Sequence, residues 1–187
     1  MKIVLASASP RRAELMRRIG LDCEVDPPDI DESAAGASGE TAAILSGRKA
    51  EAVAPRHPAG TVIIAADTLV VCGGAVLGKP RDEGEAFSML RTLAGRTHTV
   101  LTGVTVLRDG RALTQTEAAE VKMRALTDRQ IRAYIATGEP MDKAGAYGIQ
   151  GKGALLVERV EGDFHNVMGL PVCRLSKMLE TFGIDLL

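Results

Sequence analysis

The run from Thr61 to Cys72, "TVIIAADTLVVC", constrains this chain more than any other stretch. Its β-branched and apolar residues read as one long strand. A single carboxylate, Asp67, stands in the middle of it. Burying an unpaired carboxylate is costly, so Asp67 must lie at a strand end or bulge, face solvent, or meet something positive. As a purely structural residue it would be satisfied by backbone or by Thr68. As a functional one it would be a metal ligand or a general base.

Other elements frame this strand. Lys2 to Ala6 reads as a buried strand that runs into "SASPRR". Ser9 followed by Pro10 marks a helix start, and Gly20 ends that helix. Cys23 to Val25 is a short strand, closed by "DPPD" and followed by the acidic loop "DIDESAAGASGE". Glu40 to about Ala54 and Asp82 to Ala94 are helices. Gly73-Gly74 turns the long strand back. Thr97 to Leu107 and Arg111 to Met123 are strands joined at Asp109-Gly110, a hairpin signal. Thr127 caps a helix to about Thr137, and Leu155 to Val160 is a further strand. Leu170 to Phe182 has apolar residues at helical spacing. The pattern is α/β with a mixed sheet, in one domain over residues 1–187.

Composition narrows the function. The net charge of −1 on 187 residues argues against polymeric nucleic acid, which selects a basic field, but allows a small anion. Cys23, Cys72 and Cys173 are as scattered as His57, His98 and His165, with no zinc spacing. Sparse cysteine fits a reducing cytosol. The short N-terminal apolar run does not read as a signal peptide, and no run is long enough to span a membrane, so no membrane partner is expected.

Several segments carry charge in places that suit chemistry. Ser7, Ser9, Arg11 and Arg12 sit where a strand becomes a helix, and a helix N-terminus with hydroxyls and guanidinium groups suits phosphate. The same pattern also describes an ordinary capped helix. Asp29, Asp31 and Glu32 are acidic loop residues. One of them with Asp67 would suffice for Mg²⁺, which takes one or two carboxylates plus phosphate and water. Lys49 in "GRKAEA", Lys79 and Arg81 in "LGKPRDEGEA", and Lys143, Gln150 and Lys152 in "DKAGAYGIQGKG" each read alone as surface.

Together, "LASASPRRAEL", "DIDE", "AADTLVV", "LGKPRDEGEAFSMLRTLAGRTHTVLTGV" and "EPMDKAGAYGIQGKGALLVERVEGDFHNVMGLP" resemble the Maf family of nucleoside triphosphate pyrophosphatases. The resemblance implies a fold like the inosine-triphosphate pyrophosphatases: a twisted mixed β-sheet flanked by helices, two lobes around a cleft. It implies hydrolysis of a nucleoside triphosphate to monophosphate and pyrophosphate, a divalent metal cation (Mg²⁺ or Mn²⁺), a cytoplasmic setting and often a homodimer. By the same resemblance Asp67 is the proton acceptor and a metal ligand, and Glu32 is a second metal ligand. Ser7, Arg12, Lys49 and Lys79 match phosphate-binding positions.

Branches of the family differ at three positions, and Arg11, Thr68 and Gln150 resemble the branch that hydrolyses dTTP and UTP. A Gln amide offers a donor and an acceptor, which suits the edge of uracil or thymine. A Trp stacking on a methylated purine would be a cation–π contact that Arg11 cannot supply. The expected role is house-cleaning of pyrimidine triphosphates, including 5-modified analogues. The family's link to septum formation keeps a nucleotide-binding regulator as an alternative, and a purine-directed house-cleaner is a third.

Overall fold

The computed structural model describes residues 1–31 and 40–187. Its strands are β1 (Ile3–Ala6), β2 (Glu24–Val25), β3 (Val62–Cys72), β4 (Ala75–Leu77), β5 (Thr97–Arg108), β6 (Arg111–Met123) and β7 (Val157–Gly162). The helices are α1 (Pro10–Arg18), α2 (Thr41–Val53), α3 (Glu83–Leu93), α4 (Asp128–Ile135), α5 (Phe164–Met168) and α6 (Val172–Glu180). The strands form one seven-stranded sheet in the order β2-β1-β3-β5-β6-β7, with β4 paired to β3. β1 runs parallel to β2 and β3, whereas β3–β4 and β6–β7 are antiparallel. The sheet is therefore mixed, as the sequence implies.

The chain forms two compact units. The first comprises Met1–Asp67, Thr102–Glu117 and Gly169–Leu187; the second comprises Thr68–Leu101 and Ala118–Met168. Asp67 is thus the last residue of a first-unit segment, and Thr68 opens the second unit.

In the first unit, Val4, Ala6, Ile63 and Ala65 pack with Ala50 and Val53 of α2. Side chains alternate along a strand, so Ile63, Ala65 and Asp67 share the face that α2 covers. The small residues of α2 let it come very close. A Cβ on Gly103 of β5 would stand 2.3 Å from the Ala42 carbonyl carbon, so only glycine fits there. Ser46 of α2 and Thr105 of β5 add a buried hydroxyl pair at 2.9 Å. Helix α1 starts with Pro10 at its first position, and Ser9 occupies the N-cap with extended backbone. The Ser9 side chain does not cap the helix; its N–H instead donates to Ser7 Oγ at 3.2 Å. At the other end Gly20 takes φ +77. There Gly20 N–H donates to Arg17 O and Leu21 N–H to Met16 O, the paired bonds of a glycine-terminated helix. Asp109 and Gly110, both at positive φ, make the tight β5–β6 turn.

The second unit has its own apolar core, including Leu90, Leu93, Val121, Met123 and Ile131. Asp82 caps α3 by accepting from Glu85 N–H at 2.8 Å. Thr127 and Gln130 form a reciprocal capping box on α4. β7 and the terminal helix start later than the sequence expectation. β7 starts at Val157 because Gly151–Leu155 coils into a 3₁₀ helix. The terminal helix starts at Val172 rather than Leu170, since Pro171 excludes helical backbone at the residue before it. The apolar spacing that suggested Leu170 comes from its burial, not from helix.

His98 is buried on β5, and its Nε2 lies 2.7 Å from the Tyr147 hydroxyl. Burial disfavours the charged ring and pulls its pKa from 6.5 down to about 4. As pH falls from about 6.5 towards 4, the unfolded chain takes up this proton before the folded one does. Stability is then expected to drop by about 3 kcal/mol across that window. Urea midpoints against pH test this, and His98→Leu should flatten that part of the profile.

Candidate functional site

Asp67 lies within β3, neither at its end nor facing solvent; it is buried and ion-paired. Lys49 Nζ donates to Asp67 Oδ1 at 2.6 Å, with both side chains about nine-tenths buried. The geometry follows from the packing just described. Asp67 continues the Ile63–Ala65 face beneath α2, and Lys49 directly precedes the core residue Ala50 on that helix. A charge pair enclosed this way is weak evidence for stability, because desolvation takes back much of the Coulomb gain. Its placement is what suggests chemistry.

The β1–β3 register ends with Ala6 opposite Ala65. Ser7 and Asp67 therefore both extend past the carboxyl end of that parallel pairing, the place where open α/β sheets take ligands. Ser7 is buried at the turn, where its N–H donates to Leu5 O at 3.0 Å. Its Oγ accepts from Arg12 Nη1 at 3.2 Å, while Arg12 Nε donates to the Gly169 carbonyl at 2.7 Å. The guanidinium is fixed from two sides. Gly169 was not among the residues the sequence singled out, since a backbone carbonyl leaves no side-chain signal. Arg11, half-buried, stands one residue earlier in the first turn of α1.

The first unit thus brings Ser7, Arg12, Lys49 and Asp67 to one end of its parallel strands. Thr68, Lys79 and Gln150 belong to the second unit. Thr68 is half-buried on β3, and Lys79 is exposed between β4 and α3. Gln150 is half-buried with extended backbone, immediately before the 3₁₀ turn at Gly151–Leu155. Glu32 lies outside the described residues.

The segment around Gln150 is held by side chains rather than by regular structure. The Glu139 carboxylate accepts from Lys152 N–H at 2.9 Å and from Gly153 N–H at 3.1 Å. These two amides, the Lys152 one most, hold the Glu139 carboxyl below the usual carboxylate range. The Tyr134 hydroxyl accepts from Gly148 N–H at 3.2 Å. Among the described residues no group of three or more His, Cys, Asp or Glu side chains converges on a metal position. Asp67, just past the end of the β1–β3 pairing, is a carboxylate of the kind that serves as one of the one or two protein oxygens a Mg²⁺ ion takes.

The fold resembles that of a solved structure. It superposes on the Ham1 protein of Staphylococcus aureus with a TM-score of 0.53 at 15% identity, over 97% of this chain and 99% of that one. The family follows from sequence: the Maf-like protein family matches residues 2–182, and the chain belongs to it. A curated relative from Carboxydothermus hydrogenoformans is 52% identical over 98% of this chain and 100% of its own length. Another, from Moorella thermoacetica, is 51% identical over 98% of this chain and 96% of its own. A third, from Symbiobacterium thermophilum, is 48% identical over 97% and 94%. All three are named dTTP/UTP pyrophosphatase.

Proposed function

We propose that this chain hydrolyses dTTP and UTP between the α and β phosphorus atoms, giving the nucleoside monophosphate and pyrophosphate. The observation that carries this reading is the buried Lys49–Asp67 pair just past the carboxyl end of the β1–β3 pairing, the end at which Arg12 is already fixed on Ser7 and Gly169. The relatives named for dTTP and UTP support the choice of substrate.

Asp67 acts as the general base. Lys49 occupies Oδ1 and orients the carboxylate, which leaves Oδ2 to accept the proton of the attacking water. As water oxygen bonds to phosphorus, that proton passes to Asp67, the bridging P–O bond breaks, and its electrons leave on the departing phosphate group. Arg12, Lys49 and Lys79 are cations for the negative charge that grows on the leaving pyrophosphate. A guanidinium held in place beforehand loses little on meeting phosphate. A divalent cation, Mg²⁺ or Mn²⁺, bound through Asp67 and the triphosphate, with Glu32 as a second ligand, would share that charge. No serine or cysteine nucleophile is required.

Arg11, Thr68 and Gln150 select the base. The Gln150 amide matches the carbonyl and N–H of uracil or thymine, so Gln150→Glu is expected to lower kcat/KM for UTP by about tenfold or more, since it loses one donor to a buried acceptor. Steady-state kinetics on UTP and dTTP measure it, and unchanged selectivity would remove Gln150 from base recognition. The 5-methyl group separates dTTP from UTP only weakly, by about 1–3 kcal/mol at most.

The test of the whole reading is pyrophosphate release with Mg²⁺ or Mn²⁺ across dTTP, UTP, CTP, GTP, 7-methyl-GTP and ITP. Selective turnover of dTTP and UTP is expected. Turnover of a purine instead would keep the chemistry and overturn the base assignment. Tight binding without turnover would make the chain a nucleotide-binding regulator.

A further inference from the structure

We infer that Glu139 is a positioning residue for base selection, acting through the loop that carries Gln150; this rests on the proposed dTTP and UTP activity. The loop from Gly148 to Gly153 is closed upon itself. A Cβ on Gly153 would stand 2.0 Å from the Gly148 carbonyl oxygen, so the two ends of the loop touch and only glycine fits there. Gln150 lies between those ends. Before the 3₁₀ turn that starts at Gly151 the loop has no regular hydrogen-bond ladder, and Gly151 itself sits at φ +63.

Outside groups supply the hold. On the departing side the Glu139 carboxylate takes two successive amides, Lys152 N–H on Oε1 and Gly153 N–H on Oε2. It also lies so close to Gly151 that a Cβ there would meet Oε1 at 2.7 Å. On the entering side the Tyr134 hydroxyl takes Gly148 N–H. Glu139 is itself anchored, because Lys143 Nζ donates to its backbone carbonyl at 2.5 Å. A carboxylate accepting two backbone amides makes charge-assisted bonds, stronger than neutral ones. Gln at this position is nearly isosteric but offers only one acceptor atom, and its NH₂ would face an amide N–H. The loop then loses one of its two fixed points, and Gln150 loses its preset orientation.

Glu139→Gln is expected to raise KM for UTP about tenfold with kcat little changed, and to reduce the preference for UTP over ITP by a similar factor. The effect should be non-additive with Gln150→Ala: once the Gln150 amide is gone, Glu139→Gln should add less than about twofold. A merely structural role would instead lower activity equally in both backgrounds. Should Glu139→Gln fail to fold, Tyr134→Phe loosens the other end of the loop and should raise KM for UTP in the same way, about threefold. Unmodified protein that does not turn over UTP would overturn the proposed activity and this inference with it. UTP turnover with KM and selectivity unmoved by Glu139→Gln, or by Tyr134→Phe where the first variant is unfolded, would overturn this inference alone. Additive losses in the double variant would do the same.

Discussion

Asp67→Asn is expected to reduce kcat for dTTP and UTP by about 10²–10⁴-fold, the usual contribution of a positioned general base. The amide keeps the size and place of the carboxylate but cannot take the proton of the attacking water. Nucleotide binding should persist, because Ser7, Arg12 and Gly169 hold their arrangement without Asp67. The measurement is single-turnover pyrophosphate release beside equilibrium binding of UTP. Turnover matching the parent would show that another group takes the proton. Loss of binding together with turnover would make Asp67 a ligand-holding residue instead of a base. Asn also leaves the Lys49 ammonium beside a neutral partner, so a thermal melt belongs with the kinetics.

Asp67 could be found in the sequence because a carboxylate inside a β-branched run conflicts with local preference, and such conflicts gather at functional sites. Its partner could not. Lys49 meets Asp67 only because α2 lies over the odd-numbered face of β3, a contact across 18 residues that no local pattern encodes. The long strands, the Asp109-Gly110 hairpin and the cap at Thr127 were legible, since each rests on short-range chemistry. The glycine-rich stretch "DKAGAYGIQGKG" read as surface loop. In the structure it is a series of 3₁₀ turns tied by side chain-to-backbone bonds, which have no period to detect. The role of Glu139 is hidden for the same reason: the sequence shows one more acidic residue before a proline. At Pro171 the breaking signal was present, but the apolar spacing on either side of it masked it.

Lys49→Met is expected to destabilise the protein by about 3–5 kcal/mol, the cost of leaving one charge of a buried pair without its partner. The methionine fills most of the lysine's space, so the loss reports charge rather than a cavity. Adding Asp67→Asn to this variant removes the stranded carboxylate and should recover a large part of the stability. The two substitutions therefore couple strongly, as contacting charges do. Urea unfolding of the parent, both single variants and the double variant measures the cycle. A cost below about 1 kcal/mol for Lys49→Met would mean that water reaches Asp67 and that the pair behaves like a surface ion pair. The informative outcome is a double variant that is nearly as stable as the parent and has no activity. A pair that can be neutralised with little loss of fold contributes little to holding α2 on the sheet; Ala42 against Gly103 of β5 and the Ala50–Val53 face already do that. The charges at Lys49 and Asp67 would then be explained by the proposed reaction, and their burial by the need to keep that electrostatics out of solvent.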